Sequence, residues 1–232
     1  MSICFVIPVK IDSKKHEFYV HRCIASIRRL YNDPIILALA KGTQRIRADY
    51  PRIEQVENPY FSTVGCLYLF DKYRYADYAY ILHDSMVVLS PLPAPSANVS
   101  FIYDFHEPGM ETQHYQSNYR KLLPADLCRD MIETQTQGCF GAAMGIYHHA
   151  VSKTGILKLV MLVTTKNDFC AMERVFAYIC RKSQVGHNVL CGSIFGDANP
   201  WNHPEFETMA LSDLLSLGRK EYILKSLVGR TE

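Results

Sequence analysis

Short runs of apolar, largely β-branched residues alternate in this chain with stretches whose apolar residues recur at helical spacing. ICFVIPV (3–9), PIILALA (34–40) and YAYILHDSMVVL (78–89) are runs of the first kind. A strand buried on both faces reads as a near-continuous apolar run, which is what a parallel sheet covered on both sides requires. Between the first two, residues 15–31 place Val20, Cys23, Ile24, Ile27 and Leu30 on one helical face, with Arg22, Arg28 and Arg29 on the other. Asn32-Asp33-Pro34 turns the chain, and Lys41-Gly42 ends the second run. RIEQVE (52–57) reads as a third, more exposed strand, and Ser62 as the cap of a helix carrying Val64, Leu67 and Phe70. This order predicts an α/β fold: a mostly parallel central sheet with helices on both faces.

The second half is less regular. VSFIYDF (99–105) predicts a strand, and the polar stretch 106–123, with little periodicity, a long loop or lid. PADLCRDMIETQ (124–135) starts a helix at proline, and GCFGAAMGIYH (138–148) is small, apolar and strand-like. Residues 168–182 predict a helix capped by Asp168, and the C-terminus one or two more, broken near Gly218. With 232 residues and no internal repeat, the expectation is a single domain spanning 1–232.

Composition narrows the function. A formal net charge of +2 without any basic cluster gives no support to nucleic-acid binding. No apolar run approaches the roughly 20 residues of a transmembrane segment. MSICFVIPVK has neither a basic leader nor a cleavage site, so a cytoplasmic location is expected. The eight cysteines include no CxxC pair and sit mostly in apolar segments, which predicts reduced core residues rather than disulfides or zinc ligands.

Ligands of open parallel sheets bind outside the carboxyl ends of the strands. Three polar stretches fall there: Pro8-Val9-Lys10-Ile11-Asp12, Asn58-Pro59-Tyr60 and His83-Asp84-Ser85. No GxGxxG follows the first strand and no GxxxxGK[ST] occurs, so dinucleotide and P-loop nucleotide binding lose their main support. By themselves these residues also read as loop charges and turn formers. Glu173 stands apart: in NDFCAMERVFAYIC it falls about 40° from Phe169 and about 20° from Cys180, on the apolar face of its helix. A carboxylate there must be paired, hydrogen-bonded or at a cleft.

The motifs in this order resemble small GT-A-fold glycosyltransferases, which transfer a sugar from a nucleotide-diphosphate donor. CFVIPVK is similar to their opening strand ending in I-P, and YILHDSMVVLSPL matches the frame of the strand that carries their acidic DxD motif. QGCFGAAMGI is similar to their glycine-rich acceptor-side strand, and GDANPW (196–201) to the GxxKPW ending of the glycogenin-like branch, with Asn199 in place of the lysine. The resemblance spans residues 3 to about 203.

It implies a nucleotide-sugar-binding half, 1–95, and an acceptor-side half with C-terminal helices, 96–232. Pro8, Lys10, Asp12, Asn58, His83, Asp84 and Ser85 would bind the donor. Gly138, Phe140, Gly141 and Trp201 would lie on the acceptor side. Glu173 and Asp84 would be catalytic, with Glu173 a general base near the acceptor hydroxyl; the bland reading of Glu173 is a buried pair with an arginine or a backbone N–H. His83 and Asp84 would be the metal ligands, for Mn²⁺ or Mg²⁺. The departures are that His83 and Ser85 replace the two outer aspartates, and that Ser193 stands where the glycogenin-like ending has a histidine ligand. Three outcomes follow: a weak site on His83 and Asp84, a metal-free site in which Lys10, Arg45 or Arg47 offsets the diphosphate charge, or loss of catalysis. The function expected is transfer of a sugar to a glycan or small-molecule acceptor. Its rivals are a non-catalytic nucleotide-sugar-binding protein and a nucleotidyltransferase.

Overall fold

The computed structural model describes residues 1–47, 49–60, 62–105, 113–194 and 203–225. The strands are β1 Ile3–Val9, β2 Ile35–Leu39, β3 Ile53–Glu57, β4 Tyr78–Ile81, β5 Met86–Val88, β6 Val99–Phe101, β7 Asp104–Phe105, β8 Gly138–Cys139, β9 Met144–Tyr147, β10 His187–Val189 and β11 Ile223–Lys225. The helices are α1 Lys14–Arg28, α2 Ser62–Tyr73, α3 Gln116–Leu122, α4 Ala125–Glu133, α5 His148–Thr154, α6 Leu157–Val160, α7 Lys166–Lys182 and α8 Leu211–Ser216. Seven strands form the central sheet in the order β10-β6-β9-β4-β1-β2-β3. β1 pairs in parallel with β2 and β4, and β2 with β3, so the carboxyl ends of these four strands share one edge. Only β9 runs against its neighbours, β4 and β6. The α/β, mostly parallel sheet expected from the sequence is therefore present.

Alternation along each strand divides the core into two layers. Cys4 and Val6 of β1, with Ile36, Ala38, Ala79 and Ile81, face a cluster built on Val64, Leu67 and Phe70 of α2 and Met172 and Phe176 of α7. Phe5, Ile7 and Val9, with Ile35, Leu37, Leu39, Tyr78 and Tyr80, face Val20, Cys23, Ile24 and Ile27 of α1. Both faces are covered, which is why β1 and β2 carry no polar alternation. No helix among the described residues is long and apolar enough to cross a membrane.

Several expectations change. Residues 106–112 of the expected loop lie outside the described residues, but 116–122 form α3, with Tyr119 and Leu122 buried; seven residues are too few for a clear helical period. α7 begins earlier than expected because Thr165, not Asp168, is its cap. The Thr165 side chain accepts the Asp168 N–H, and the Asp168 carboxylate accepts the Thr165 N–H, a reciprocal capping box. Among the described residues, the C-terminal segment holds one helix, α8, ending before Gly218, and then the strand β11, antiparallel to β5. Arg22, expected on the solvent side of α1, is 4 % exposed. Its guanidinium donates to the Phe206 carbonyl at 2.9 Å and the Met209 carbonyl at 2.6 Å, so the C-terminal segment covers that face of the helix. All eight cysteines are free and six are buried, as expected of core residues.

Candidate functional site

The carboxyl ends of β1 to β4 open into a cleft of about 540 Å³. Pro8 and Lys10 after β1, Lys41 after β2, Asn58 after β3, and His83 and Asp84 after β4 all line it, although they are far apart in sequence. Parallel packing alone brings them together. Met161, Val163 and Thr164, between α6 and α7, close the remaining side.

The loops fix their residues in different ways. Asn58 uses its side-chain amide locally: Nδ2 donates to the Ser62 carbonyl at 3.0 Å and Oδ1 accepts the Tyr60 N–H at 3.2 Å. It thus builds the turn into α2, and Gly65 gives it room, since a Cβ there would lie 1.9 Å from Asn58 Oδ1. After β4, the His83 carbonyl accepts the Met86 N–H at 3.0 Å, closing a β-turn over His83–Met86. His83-Asp84-Ser85 is therefore a strand-end turn whose first two residues wall the cleft.

A second layer converges on the Gly141 peptide. Its carbonyl accepts His83 Nε2–H at 2.7 Å and the Thr63 hydroxyl at 2.8 Å, while its N–H donates to Glu173 Oε1 at 2.8 Å. A carbonyl only accepts, so His83 carries its proton on Nε2. Burial, reinforced by the charge of Lys225, holds the imidazole down to about 3 and keeps it neutral. Gly141 has φ +64°, and a Cβ at this position would lie 2.3 Å from His83 Nε2. Helices α2 and α7, the β4 end and the glycine-rich segment are thus joined through the backbone of one residue, by the two peptide units that flank its Cα. Glu173, 8 % exposed, takes the arrangement of its bland reading, a buried carboxylate on a backbone N–H.

Other expected site residues lie elsewhere. Asp12 does not line the cleft; its Oδ1 is 2.5 Å from His16 Nδ1. Ser85 is turned inward, 1 % exposed. Gly138 lies in β8 against the Phe105 ring, and the Phe140 N–H bonds the Tyr103 carbonyl at 3.0 Å. Arg45 does not line the cleft, nor does Arg47, which pairs with Asp49 at 3.4 Å. Trp201 and the GDANPW motif lie outside the described residues.

Lys225, which sequence reasoning missed, ends β11 opposite Met86. Its Nζ donates to Ser85 Oγ. Burial pulls its ammonium down to about 8, while the charges of Asp84 and Glu173 oppose the fall. Asp84 is pushed up by burial, against the Lys225 and His16 charges that lower it. The sequence signal was faint: Lys225 follows Ile223 at strand spacing, on the face that Ile223 buries.

The turn offers a divalent cation two side-chain ligands. With Nε2–H donated to the Gly141 carbonyl, His83 keeps the Nδ1 lone pair as a ligand atom, and Asp84 adds the one carboxylate of the His83–Ser85 turn. Among the described residues, no group of three or more His, Cys, Asp or Glu side chains converges as a ligand set. His83 and Asp84, neighbours on the cleft wall, are the residues that would hold Mn²⁺ or Mg²⁺.

No protein-family model matches the sequence, and no curated protein matches it. Among solved structures, the chain is similar to the galactosyltransferase LgtC in complex with donor and acceptor sugar analogues. The identity is 11% and the TM-score 0.50, over 99% of this chain and 88% of that chain. An active-site mutant of LgtC is 10% identical with a TM-score of 0.47, over 98% of this chain and 88% of that chain. The first likeness shows the fold, a GT-A-like α/β domain.

Proposed function

We propose that this chain is a glycosyltransferase that binds a nucleotide-diphosphate sugar in the strand-end cleft and passes the sugar to an acceptor hydroxyl of a glycan or small molecule. The observation that carries this reading is the convergence of Pro8, Lys10, Lys41, Asn58, His83 and Asp84 on one cleft at the carboxyl edge of a GT-A-like sheet. That cleft is large enough for a nucleotide and offers lysines where a diphosphate needs them. In the transfer, the bond from the anomeric carbon to the diphosphate oxygen breaks and its electron pair leaves on the nucleoside diphosphate. The acceptor oxygen bonds to the anomeric carbon, and its proton passes to the released diphosphate.

Within this reading the residues divide the work. Lys10 and Lys41 attract the diphosphate, and the Asn58 turn shapes the wall that receives the nucleoside. Glu173 is a positioning residue: through the Gly141 N–H it fixes the carbonyl on which the His83 ring and Thr63 are seated.

The test is a panel of nucleotide sugars with simple saccharide acceptors, with release of nucleoside diphosphate as the readout. Release with at least one donor, raised by an acceptor, is the expected result. Binding without transfer or hydrolysis would favour the non-catalytic rival. Release of pyrophosphate from a nucleoside triphosphate and a sugar phosphate would favour a nucleotidyltransferase.

A further inference from the structure

We infer that the turn between α6 and α7 docks this protein on a membrane surface carrying anionic lipid headgroups, with Met161 and Leu162 entering the acyl boundary and Lys158 and Lys166 meeting the headgroups. The docking goes beyond the glycosyltransferase reading and does not depend on it.

The segment ILKLVMLV (156–163) is apolar beyond what its burial uses. Ile156, Val160 and Val163 are in the core, and Leu157 and Leu159 pack partly against it. The N–H groups of Leu162 and Val163 bond the Leu159 and Val160 carbonyls at 2.9 and 3.3 Å, so the chain turns tightly past α6. Met161 and Leu162 are left outside, 66 % and 38 % exposed. Single apolar side chains scattered over a surface are ordinary. These two are the only sequence neighbours among the exposed large apolar side chains of the described residues.

The charge along this segment has one sign. From Ala150 to Asn167 the sequence holds Lys153, Lys158 and Lys166 and no Asp or Glu. Lys158 and Lys166 are exposed, and neither has an ion-pair partner among the described residues. The next carboxylate, Asp168, is 1 % exposed and already held by Lys121 at 2.6 Å. An apolar pair alone binds a bilayer marginally, and so do two lysines; together they supply the two signals that a peripheral contact needs. Two side chains fall far short of the roughly 800 Å² per partner that a stable protein interface buries, whereas insertion among acyl chains needs no such area. Met161 also lines the cleft, so docking sets the mouth of the cleft against the headgroups. Under the glycosyltransferase reading, the acceptor hydroxyl would then be one carried on a lipid.

The test is co-sedimentation with vesicles of phosphatidylcholine alone and of an equal mixture with phosphatidylglycerol, at low and high salt. The wild type should bind the mixed vesicles at low salt, and about tenfold more weakly when the vesicles are neutral or the salt is high. Met161→Ser/Leu162→Ser and Lys158→Gln/Lys166→Gln should each weaken binding by about tenfold, with thermal melts like the wild type's. Wild-type protein that stays in solution with the mixed vesicles would overturn the inference, even if a variant did not fold. Equal binding to neutral vesicles would overturn it too, as would folded variants that bind like the wild type. Dimerisation abolished by Leu162→Asp, without vesicle binding, would assign the patch to a second copy of the chain and overturn it as well. The glycosyltransferase reading survives each of these results, since the nucleotide-sugar panel tests it separately.

Discussion

The Gly141 peptide is the point where the side chains behind the cleft meet, and this sets the role of Glu173. A carboxylate whose oxygen accepts a buried N–H holds structure, and an amide oxygen can do the same. Glu173→Gln should therefore keep donor turnover within about threefold, whereas loss of a general base would cost about 10² to 10⁴. Glu173→Ala, which leaves the Gly141 N–H unpaired, should lower stability by about 1–3 kcal/mol and reduce turnover through disorder of the His83 ring. Steady-state rates together with denaturant melts of the two variants separate the roles. A Gln variant that folds normally but is inactive would return Glu173 to the position of base.

At the scale of elements, α7 depends on its N-terminus. Asp168 is buried and would on that account be raised, but Lys121 at 2.6 Å, Asn118 at 2.9 Å and the Thr164 and Thr165 groups outweigh burial and hold it well below the ordinary 3.8. A folded-state value below the unfolded one means that the unfolded chain takes up the proton first. The stabilisation is thus complete above about pH 4 and lost as the pH falls through the lower, folded value. Asp168→Asn should be less stable than the wild type by about 2 kcal/mol at pH 7, with the gap closing below about pH 4. Denaturant titrations at pH 7, 5 and 3 check this, and a gap independent of pH would contradict it.

Elements of the first half were legible because their signals are long: β1, α1, β2, β3 and α2 all lie within a few residues of their expected places. Thr165-Lys166-Asn167-Asp168 carries a capping-box pattern, which reading Asp168 alone as the cap passed over. α5 and α6 were not assigned from the sequence. β10 and β11 are three residues each. They exist through their pairing with β6 and β5, a long-range effect without a local signature.

For the whole molecule, the cleft could be read from the chain because strand ends of a parallel sheet bring known positions to one edge. Pro8, Lys10, Asn58, His83 and Asp84 were found in this way. Lys225 was not, since its place depends on a C-terminal strand returning across the sheet edge to β5, and nothing near it in sequence announces that return. The outward reading of Arg22 failed for the same reason: the carbonyls of residues 206 and 209 that receive it come from a distant segment. Long-range closure of the C-terminal segment over α1 and β5 thus decides both the burial of Arg22 and the placing of Lys225 against Ser85.

The most direct test of the account is a crystal structure of the protein with a bound nucleotide sugar. The diphosphate is expected in the cleft at the β4 corner, between Lys10 and the His83–Asp84 wall. A nucleotide sugar ordered anywhere outside this cleft would contradict it.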